Sequence, residues 1–226
     1  MALPESISAS AQDYAKAVYA LEAHEGAAVS TNDLAVRLGV TPGSVSGMVR
    51  KLSEVGLVEH QPYHGVRLTA QGRRVALEVL RHHRLIELFL SEELGMSWDR
   101  VHAEAEVLEH VLSEDLEQLI AARLGDPTVD PHGDPIPTVE FGIDEPATRS
   151  LDELPLGASG RLVRVSDDPE MLRYLAGLGI ALGDRLEVVG RQPFGGPVFV
   201  RFGAQEHPIG GALARAMRIE TEEAIG

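Results

Sequence analysis

Two stretches of this chain place imidazole and carboxylate side chains at helical spacing. His83 and Glu87 are four residues apart, so on a helix both lie on one face. The second stretch holds His102, Glu106, Glu109 and His110. At about 100° per residue, with His102 as origin, Glu106 falls near ~40°, Glu109 near ~−20° and His110 near ~80°. On a continuous helix all four share one face. Beside it, Val101, Ala105, Leu108, Leu112, Leu116 and Leu119 form an apolar packing stripe. Neutral imidazole together with carboxylate is a donor set for Mn(II), Fe(II), Co(II) or Zn(II) rather than for Ca(II) or Mg(II) alone. The competing explanation is a solvated acidic face, as befits Glu104, Glu114 and Glu117. Two imidazole–carboxylate clusters on successive helices weigh against it.

Cysteine is absent, which removes disulfides, thiolate nucleophiles and cysteine-based zinc sites together. The chain carries no His-Glu-x-x-His pair, no Gly-x-Ser-x-Gly elbow and no phosphate loop. A dinuclear metalloenzyme using Glu106 or Glu109 as base is the main enzymatic alternative, and no small-molecule substrate is expected.

The donors need helices to hold them, and the pattern supplies these. Tyr14, Ala17, Val18 and Leu21 follow i, i+3, i+4, i+7 spacing up to Gly26, which predicts a first amphipathic helix. Ser30 or Thr31 caps a short second helix with Leu34 and Leu38. After a turn at Gly39-Val40-Thr41-Pro42, Val45, Met48, Val49 and Leu52 mark a third. Leu57-Val58, a turn at Pro62-Tyr63-His64-Gly65 and the alternating run from Val66 to Thr69 read as a β-hairpin. Short helix, tight turn, helix and hairpin make a winged helix-turn-helix. The third helix is then the DNA reader. Thr41, Pro42, Gly43, Ser44, Ser46 and Gly47 would enter the major groove, with Arg50 and Lys51 for phosphates.

A long helix is predicted from Thr69 to Gly95 and a further one from Trp98 to Leu124. Prolines 127, 131, 135 and 137 then forbid helix, Ile136 and Phe141 are candidate anchors, and residues 142–150 read as a linker. Beyond Leu151 the runs Gly160–Val165, Asp184–Val189 and Pro197–Phe202 alternate as strands, with one short helix at Asp168–Leu178. A small β-barrel is the natural reading. The fold class is thus mainly α with small β. Its expected domains are a winged helix at 1–75, a helical metal-binding and dimerisation domain at 76–145, and a linker plus SH3-like barrel at 146–226.

The 226 residues are 44% apolar and carry a net charge of −15. That charge argues against nucleic acid until it is located. Residues 1–75 hold seven basic and seven acidic side chains, so the whole deficit lies in the remainder. The N-terminal block is free to approach phosphates, whereas the rest suits cations. No apolar run spans a bilayer and the start lacks a signal-peptide pattern, so the expectation is a cytoplasmic protein without membrane contact.

Three segments, in order, resemble the iron- and manganese-dependent repressors typified by the diphtheria toxin repressor. They are His83-Arg84-Leu85-Ile86-Glu87, the run from Val101 through Glu109-His110, and Pro131-His132-Gly133-Asp134-Pro135-Ile136-Pro137. The resemblance covers almost the whole chain. It implies a homodimer that takes a divalent ion as corepressor, grips a palindromic operator in double-stranded DNA and controls metal-homeostasis genes. The family's ancillary site falls on His83, Glu87 and His102, and the loop Asp167-Asp168-Pro169-Glu170-Met171 offers Asp168 as a further donor. Met171 stands where iron-dependent members often place glutamine.

The family's regulatory site falls on Asp13, Glu106, Glu109 and His110. Iron-responsive members typically have methionine at the place of Asp13 and cysteine at that of Glu106, whereas manganese-responsive members have aspartate and glutamate. Carboxylate oxygen is the harder donor and favours Mn(II), with Fe(II) the alternative and Co(II) or Zn(II) able to substitute in vitro. Some manganese-responsive members add a glutamate one turn beyond the aspartate. Lys16 stands there, which speaks against a fully two-metal cluster of that type. The implied mechanism is a clamp: an ion joining Asp13 to Glu106, Glu109 and His110 ties the DNA-binding block to the dimerisation block. A metal-independent DNA-binding module with a vestigial metal face is the remaining alternative.

Overall fold

Small hydroxyl residues and glycines set the helix ends of this chain. The computed structural model describes residues 7–61 and 65–221. Ser8 caps α1 (Ala9–Glu25), which Gly26 closes at φ 65°. Ser30 caps α2 (Thr31–Leu38), and Thr41 caps α3 (Pro42–Glu54) with Pro42 in its first turn. Strands β1 (Val58–Gln61) and β2 (Gly65–Leu68) pair antiparallel, from Val58↔Leu68 to Gln61↔Gly65. Pro62, Tyr63 and His64 of the expected turn lie outside the described residues. Tyr14, Val18, Leu34, Val45, Val49, Leu52 and Val66 are buried in one cluster, the apolar core of a winged helix-turn-helix.

α4 (Ala70–Glu92) is the long helix predicted after Thr69. Thr69 Oγ1 accepts from the Gly72 N–H (3.0 Å) and donates to the Gly56 carbonyl (2.7 Å). The single helix predicted from Trp98 to Leu124 is in fact two, α5 (Val101–Leu108) and α6 (Glu114–Arg123), with a turn between them. Ser113 is the cause. Its Oγ accepts from the Leu116 N–H at 3.3 Å, and Glu114, Asp115 and Glu117 crowd the first turn of α6, where the helix dipole favours anions. Apolar spacing runs on across the break, so periodicity alone does not register it. Arg81 ties α4 to α6 through Glu117 (2.5 Å) and reaches the Pro137 carbonyl (2.7 Å). Further along, the Arg74 guanidinium lies 5.3 Å over the Phe141 ring.

The chain divides into two units. The first comprises Met1–Ile86, Glu106–Asp126 and Pro137–Ile143, and so holds the winged helix, most of α4 and all of α6. The second comprises Glu87–Ala105, Pro127–Ile136 and Asp144–Gly226. Its strands and helices run β3 (Arg149–Ser150), β4 (Ser159–Val165), α7 (Pro169–Gly177), β5 (Arg185–Arg191), β6 (Val198–Phe202), β7 (Gln205–Ile209), α8 (Gly211–Ala216) and β8 (Met217–Thr221). The sheet order is β3-β8-β4-β5-β6-β7, antiparallel throughout. Leu162, Leu172, Leu186, Val188, Val200 and Ile219 lie in its core. The three alternating runs are β4, β5 and β6, and the predicted helix is α7. β7 escaped the pattern because it buries only Ile209 of its five residues. It sits at the sheet edge, where Pro208 is tolerated.

Candidate metal centre

Within the first unit, three segments separated widely in sequence bring polar groups together. α1 supplies Gln12, Asp13 and Lys16; α4 supplies His82 and His83; the end of α5 and the turn after it supply Glu106, Glu109 and His110. The break at Ser113 matters here. It leaves Glu109 and His110 in the turn rather than on a rigid helix face, and the turn carries them to α1.

His110 is held from both sides. Its Nδ1 donates to Gln12 Oε1 at 2.6 Å, since a neutral amide oxygen only accepts. The other nitrogen, Nε2, then faces Asp13 Oδ1 at 2.8 Å and Glu109 Oε1 at 3.5 Å. One donor atom from each of Asp13, Glu109 and His110 lies within 4.8 Å of the others. Fixing one ring nitrogen by a hydrogen bond so that the other meets a cation is the usual arrangement of a metal-binding histidine. The donor set is oxygen and imidazole nitrogen, and its chemistry fits a divalent first-row ion.

Glu109 is the hub and is only 1% exposed. Its backbone carbonyl accepts from His82 Nδ1 (3.1 Å), its Oε2 pairs with His83 Nδ1, and its Oε1 accepts from Lys16 Nζ at 2.5 Å. Lys16 Nζ also reaches Glu106 Oε1 at 2.7 Å, and His83 Nδ1 lies 3.8 Å from that same oxygen. Burial is the largest influence on Asp13 and pushes its carboxyl above the usual range. Glu109 and Glu106 push the same way, and the neighbouring His110 and Lys16 only partly oppose them. For Lys16, burial alone would lower the ammonium's pKa; Glu109 and Glu106 outweigh it and hold the group above the ordinary lysine value. The centre is thus short of positive charge, and Lys16 supplies part of what it needs.

The second unit holds another imidazole–carboxylate group. Glu87 Oε1 lies 3.2 Å from His102 Nδ1, and that nitrogen is 3.3 Å from Asp167 Oδ2. Donor atoms of Glu87, Asp130 and His132 also lie within 4.8 Å of one another, all buried. His132 Nε2 donates to the Trp98 carbonyl at 2.7 Å, and the Trp98 ring stacks on it at 6.5 Å. Asp168, singled out as a donor, caps α7: its Oδ1 accepts from the N–H groups of Glu170 (2.9 Å) and Met171 (3.1 Å). The carboxylate beside His102 is that of the preceding residue. Asp168-Pro169 is a cap-and-first-turn pattern, so this was visible in the sequence. Gln12, Asp130 and His132 were not: an amide draws no attention beside carboxylates, and the proline-rich segment of Asp130 and His132 has no helical period to place them.

On α3, the candidate DNA-contacting residues Thr41, Pro42, Gly43, Ser44, Ser46, Gly47, Arg50 and Lys51 are all exposed, whereas Val45, Val49 and Leu52 are buried. Thr41 Oγ1 accepts from the Ser44 N–H at 3.2 Å, and Ser46 Oγ donates to the Pro42 carbonyl at 3.0 Å. These hydroxyls organise the first turn while facing solvent.

Comparison with known proteins identifies the families that the chain matches. Residues 6–66 match the family described as iron dependent repressor, N-terminal DNA binding domain. Residues 69–138 match its metal binding and dimerisation domain, and residues 149–221 match the FeoA domain. The iron-dependent repressor IdeR of Mycobacterium tuberculosis is 33% identical over 220 residues, covering 92% of this chain and 95% of the relative. The diphtheria toxin repressor of Corynebacterium glutamicum is 32% identical over 222 residues, covering 93% and 95%. Among solved structures, a manganese-dependent transcriptional repressor in complex with manganese has a TM-score of 0.88 and 44% identity, covering 94% of this chain and 100% of that one.

Proposed function

The chain belongs to the iron-dependent repressor family, and on that premise we propose that it is an Mn(II)-dependent transcriptional repressor. It binds palindromic operator DNA as a homodimer in the cytoplasm and controls metal-homeostasis genes. The single observation that carries this reading is the meeting of Asp13, on the first helix of the DNA-binding domain, with Glu109 and His110 of the metal-binding segment. Asp13, Glu109 and His110 would hold the ion, with Glu106 and His83 beside them. The bound ion supplies two positive charges at a point where carboxylates otherwise repel. What the chain contributes is position. Gln12 fixes the His110 ring, His82 fixes the Glu109 backbone, and the rigid α1 transmits their placement to the winged helix. A ligand shifts the population of a conformation only by its preference for it. Separated Asp13 and His110 bind the ion worse than joined ones, so metal selects the DNA-gripping arrangement.

Manganese is preferred over iron because Asp13 and Glu106 offer carboxylate oxygen, a harder donor than the thioether and thiolate that iron-responsive members typically carry at those two places. The iron-dependent relatives keep Fe(II) as the second reading. Of the ancillary donors expected from the resemblance, Glu87 and His102 remain the proposed group, with Asp167 in place of Asp168, which caps α7; His83, expected with them, pairs with Glu109. An enzymatic role for Glu109 is disfavoured, because it is buried and paired with Lys16 and His83. Among the described residues no helix is long and apolar enough to cross a membrane. Titrating apo protein with Mn(II), Fe(II) anaerobically and Zn(II), with and without a DNA palindrome selected in vitro, tests the proposal. Mn(II) should tighten DNA binding by at least ~100-fold, and DNA should tighten Mn(II) binding reciprocally. DNA affinity indifferent to all three ions would refute it.

The homodimer rests on an apolar surface. Val107 (70% exposed), Val111 (77%) and Leu119 (67%) stand open on α5, the turn after it and α6, in the segment that matches a dimerisation domain. Isolated exposed apolar residues are ordinary, and what supports an interface here is that these three fall within the segment that matches a dimerisation domain. A second copy of this chain is the proposed cover. Leu119→Glu should convert the protein to monomer in sedimentation at micromolar concentration, and should weaken operator binding more than ~10-fold, since a lone half-site grip loses its partner. A Leu119→Glu protein that sediments as a dimer would place the interface elsewhere.

A further inference from the structure

We propose that Gly133 is a positioning residue: its missing side chain lets the proline-rich loop seat on the end of β4, and that contact holds Asp167 against His102. This role rests on the reading of Glu87, His102 and Asp167 as donors and adds to it the cause of their meeting.

β4 outruns one of its neighbours. It pairs with β5 only from Ser159 to Arg161, whereas its pairing with β8 continues to Val165. Beyond Arg161 one flank of β4 is left for other backbone to cover. The loop from Asp130 to Asp134 takes it, and the Val165 N–H donates to the His132 carbonyl at 2.9 Å. Gly133 comes next, buried and at φ 85°, a left-handed angle at which glycine pays no steric cost. A Cβ there would stand 1.9 Å from the Val163 carbonyl oxygen and 2.9 Å from the Arg164 Cα. These are main-chain atoms, which do not swing aside as a side-chain tip does. The loop is stiff as well, because Asp130 Oδ1 accepts from the N–H groups of His132 (2.8 Å) and Asp134 (2.9 Å). Glycine is therefore required twice, for its backbone angle and for the closeness of β4.

The same loop also grips the chain ahead of α5. The His132 ring is 1% exposed and donates from Nε2 to the Trp98 carbonyl at 2.7 Å, and Trp98 packs against the apolar core of the barrel. Trp98 lies four residues before His102, and Val165 lies two residues before Asp167. One loop thus touches the backbone just ahead of both donors, and the Arg164–Asp134 ion pair (3.4 Å) adds to the contact. Held in this way, Asp167 Oδ2 comes to 3.3 Å from His102 Nδ1. A Cβ at Gly133 would force loop and strand apart by roughly 1 Å, enough to loosen a ligand set. The residues ahead of the barrel, exposed from Asp144 to Ala147, carry no part of this aim.

The test uses the full chain in a His110→Ala background, which removes a donor of the first-unit centre. Electron paramagnetic resonance of free Mn(II) then follows binding to the second-unit group. Gly133→Ala should weaken that binding by ~10–100-fold, the range for a residue that supports a ligand. Added to Asp167→Ala it should weaken binding no further, because it acts through that carboxylate. A Gly-Ser-Gly-Ser insertion between Pro146 and Ala147 should leave affinity within about threefold of the parent chain, short of the loss that a supporting residue gives. Before any metal is added, Gly133→Ala should speed hydrogen exchange of the Val165 amide more than ~10-fold. Unchanged affinity or unchanged Val165 exchange in Gly133→Ala, a further loss on top of Asp167→Ala, or a loss of ~10-fold from the insertion overturns the proposal. Should Gly133→Ala fail to fold by circular dichroism, the insertion decides alone. His102→Ala separates the two readings. If it costs no Mn(II) binding, the donor reading of this group fails and takes the role of Gly133 with it. If it costs binding while Gly133→Ala costs none, only the role of Gly133 falls.

Discussion

Asp13→Ala is expected to leave the protein folded and dimeric and to remove its metal-dependent grip on DNA. In this variant α1 keeps its cap at Ser8 and its buried face of Tyr14, Ala17 and Val18, so circular dichroism and sedimentation should match the wild type. What disappears is the one carboxylate that α1 contributes beside His110 Nε2, at 2.8 Å. Loss of a residue that only supports a ligand typically costs about 10–100-fold in metal affinity, so loss of a direct donor costs more than ~100-fold. Metal and operator binding are linked, so an emptier metal site means weaker DNA binding at fixed Mn(II), up to the full coupling factor between the two. Fluorescence anisotropy on a selected palindrome, in saturating wild-type Mn(II), reads it directly. An Asp13→Ala protein with operator affinity within about threefold of the wild type, well short of the factor assigned to a lost ligand, would mean that the clamp closes through other groups.

The second large effect lies away from the metal. Gly72→Ala should destabilise the transition that includes the winged helix by about 3 kcal/mol, at the upper end of what overpacking costs. Gly72 is in the first turn of α4, facing the end of α3 and the start of the hairpin. A Cβ there would stand 1.9 Å from the Leu57 carbonyl oxygen and 2.9 Å from its carbon. That carbonyl cannot simply swing away, because it accepts from the Thr69 N–H at 3.0 Å and from Thr69 Oγ1 at 3.2 Å. Either the hydrogen bonds that seat the wing on α4 break or α4 shifts from the hairpin. For a chain of this size the loss corresponds to a fall in Tm of roughly 6–12 °C by calorimetry. Gly47→Ala is the built-in control, since a Cβ there meets nothing within 4 Å and α3 gains up to ~1 kcal/mol of helix propensity. Equal melting of the two variants would show that the Gly72 contact is not as tight as described.

Much of this molecule was legible as text. α1 to α4 follow from 3.6-residue periodicity, and the start of α2 from its cap at Ser30, because rotation per residue and a hydrogen bond three positions away are local facts. Donor chemistry was equally local: a chain without cysteine offers no thiolate to a metal, and histidine and carboxylate at helical spacing offer nitrogen and oxygen. β4, β5 and β6 declared themselves by alternation, whereas edge strand β7, with a single buried side chain, carried almost no signal. The expected division at 75 and 145 is a cut by position along the chain, whereas the structure forms two units from interleaved segments, because packing and not sequence order groups α6 with the winged helix.

Tertiary structure decided which of those donors meet. Angles projected onto one helix put His102 through His110 on a common face, yet Ser113 ends that logic by starting a new helix, and the turn before it re-aims Glu109 and His110 toward α1. Lys16 could be read only as a missing acid until packing set its ammonium against Glu106, a residue 90 positions away. Helix face and capping are chosen by neighbours a few residues apart. A site drawn from α1, α4 and the α5–α6 turn is chosen by the burial of apolar faces that brings those segments together, and no spacing along the chain encodes that distance.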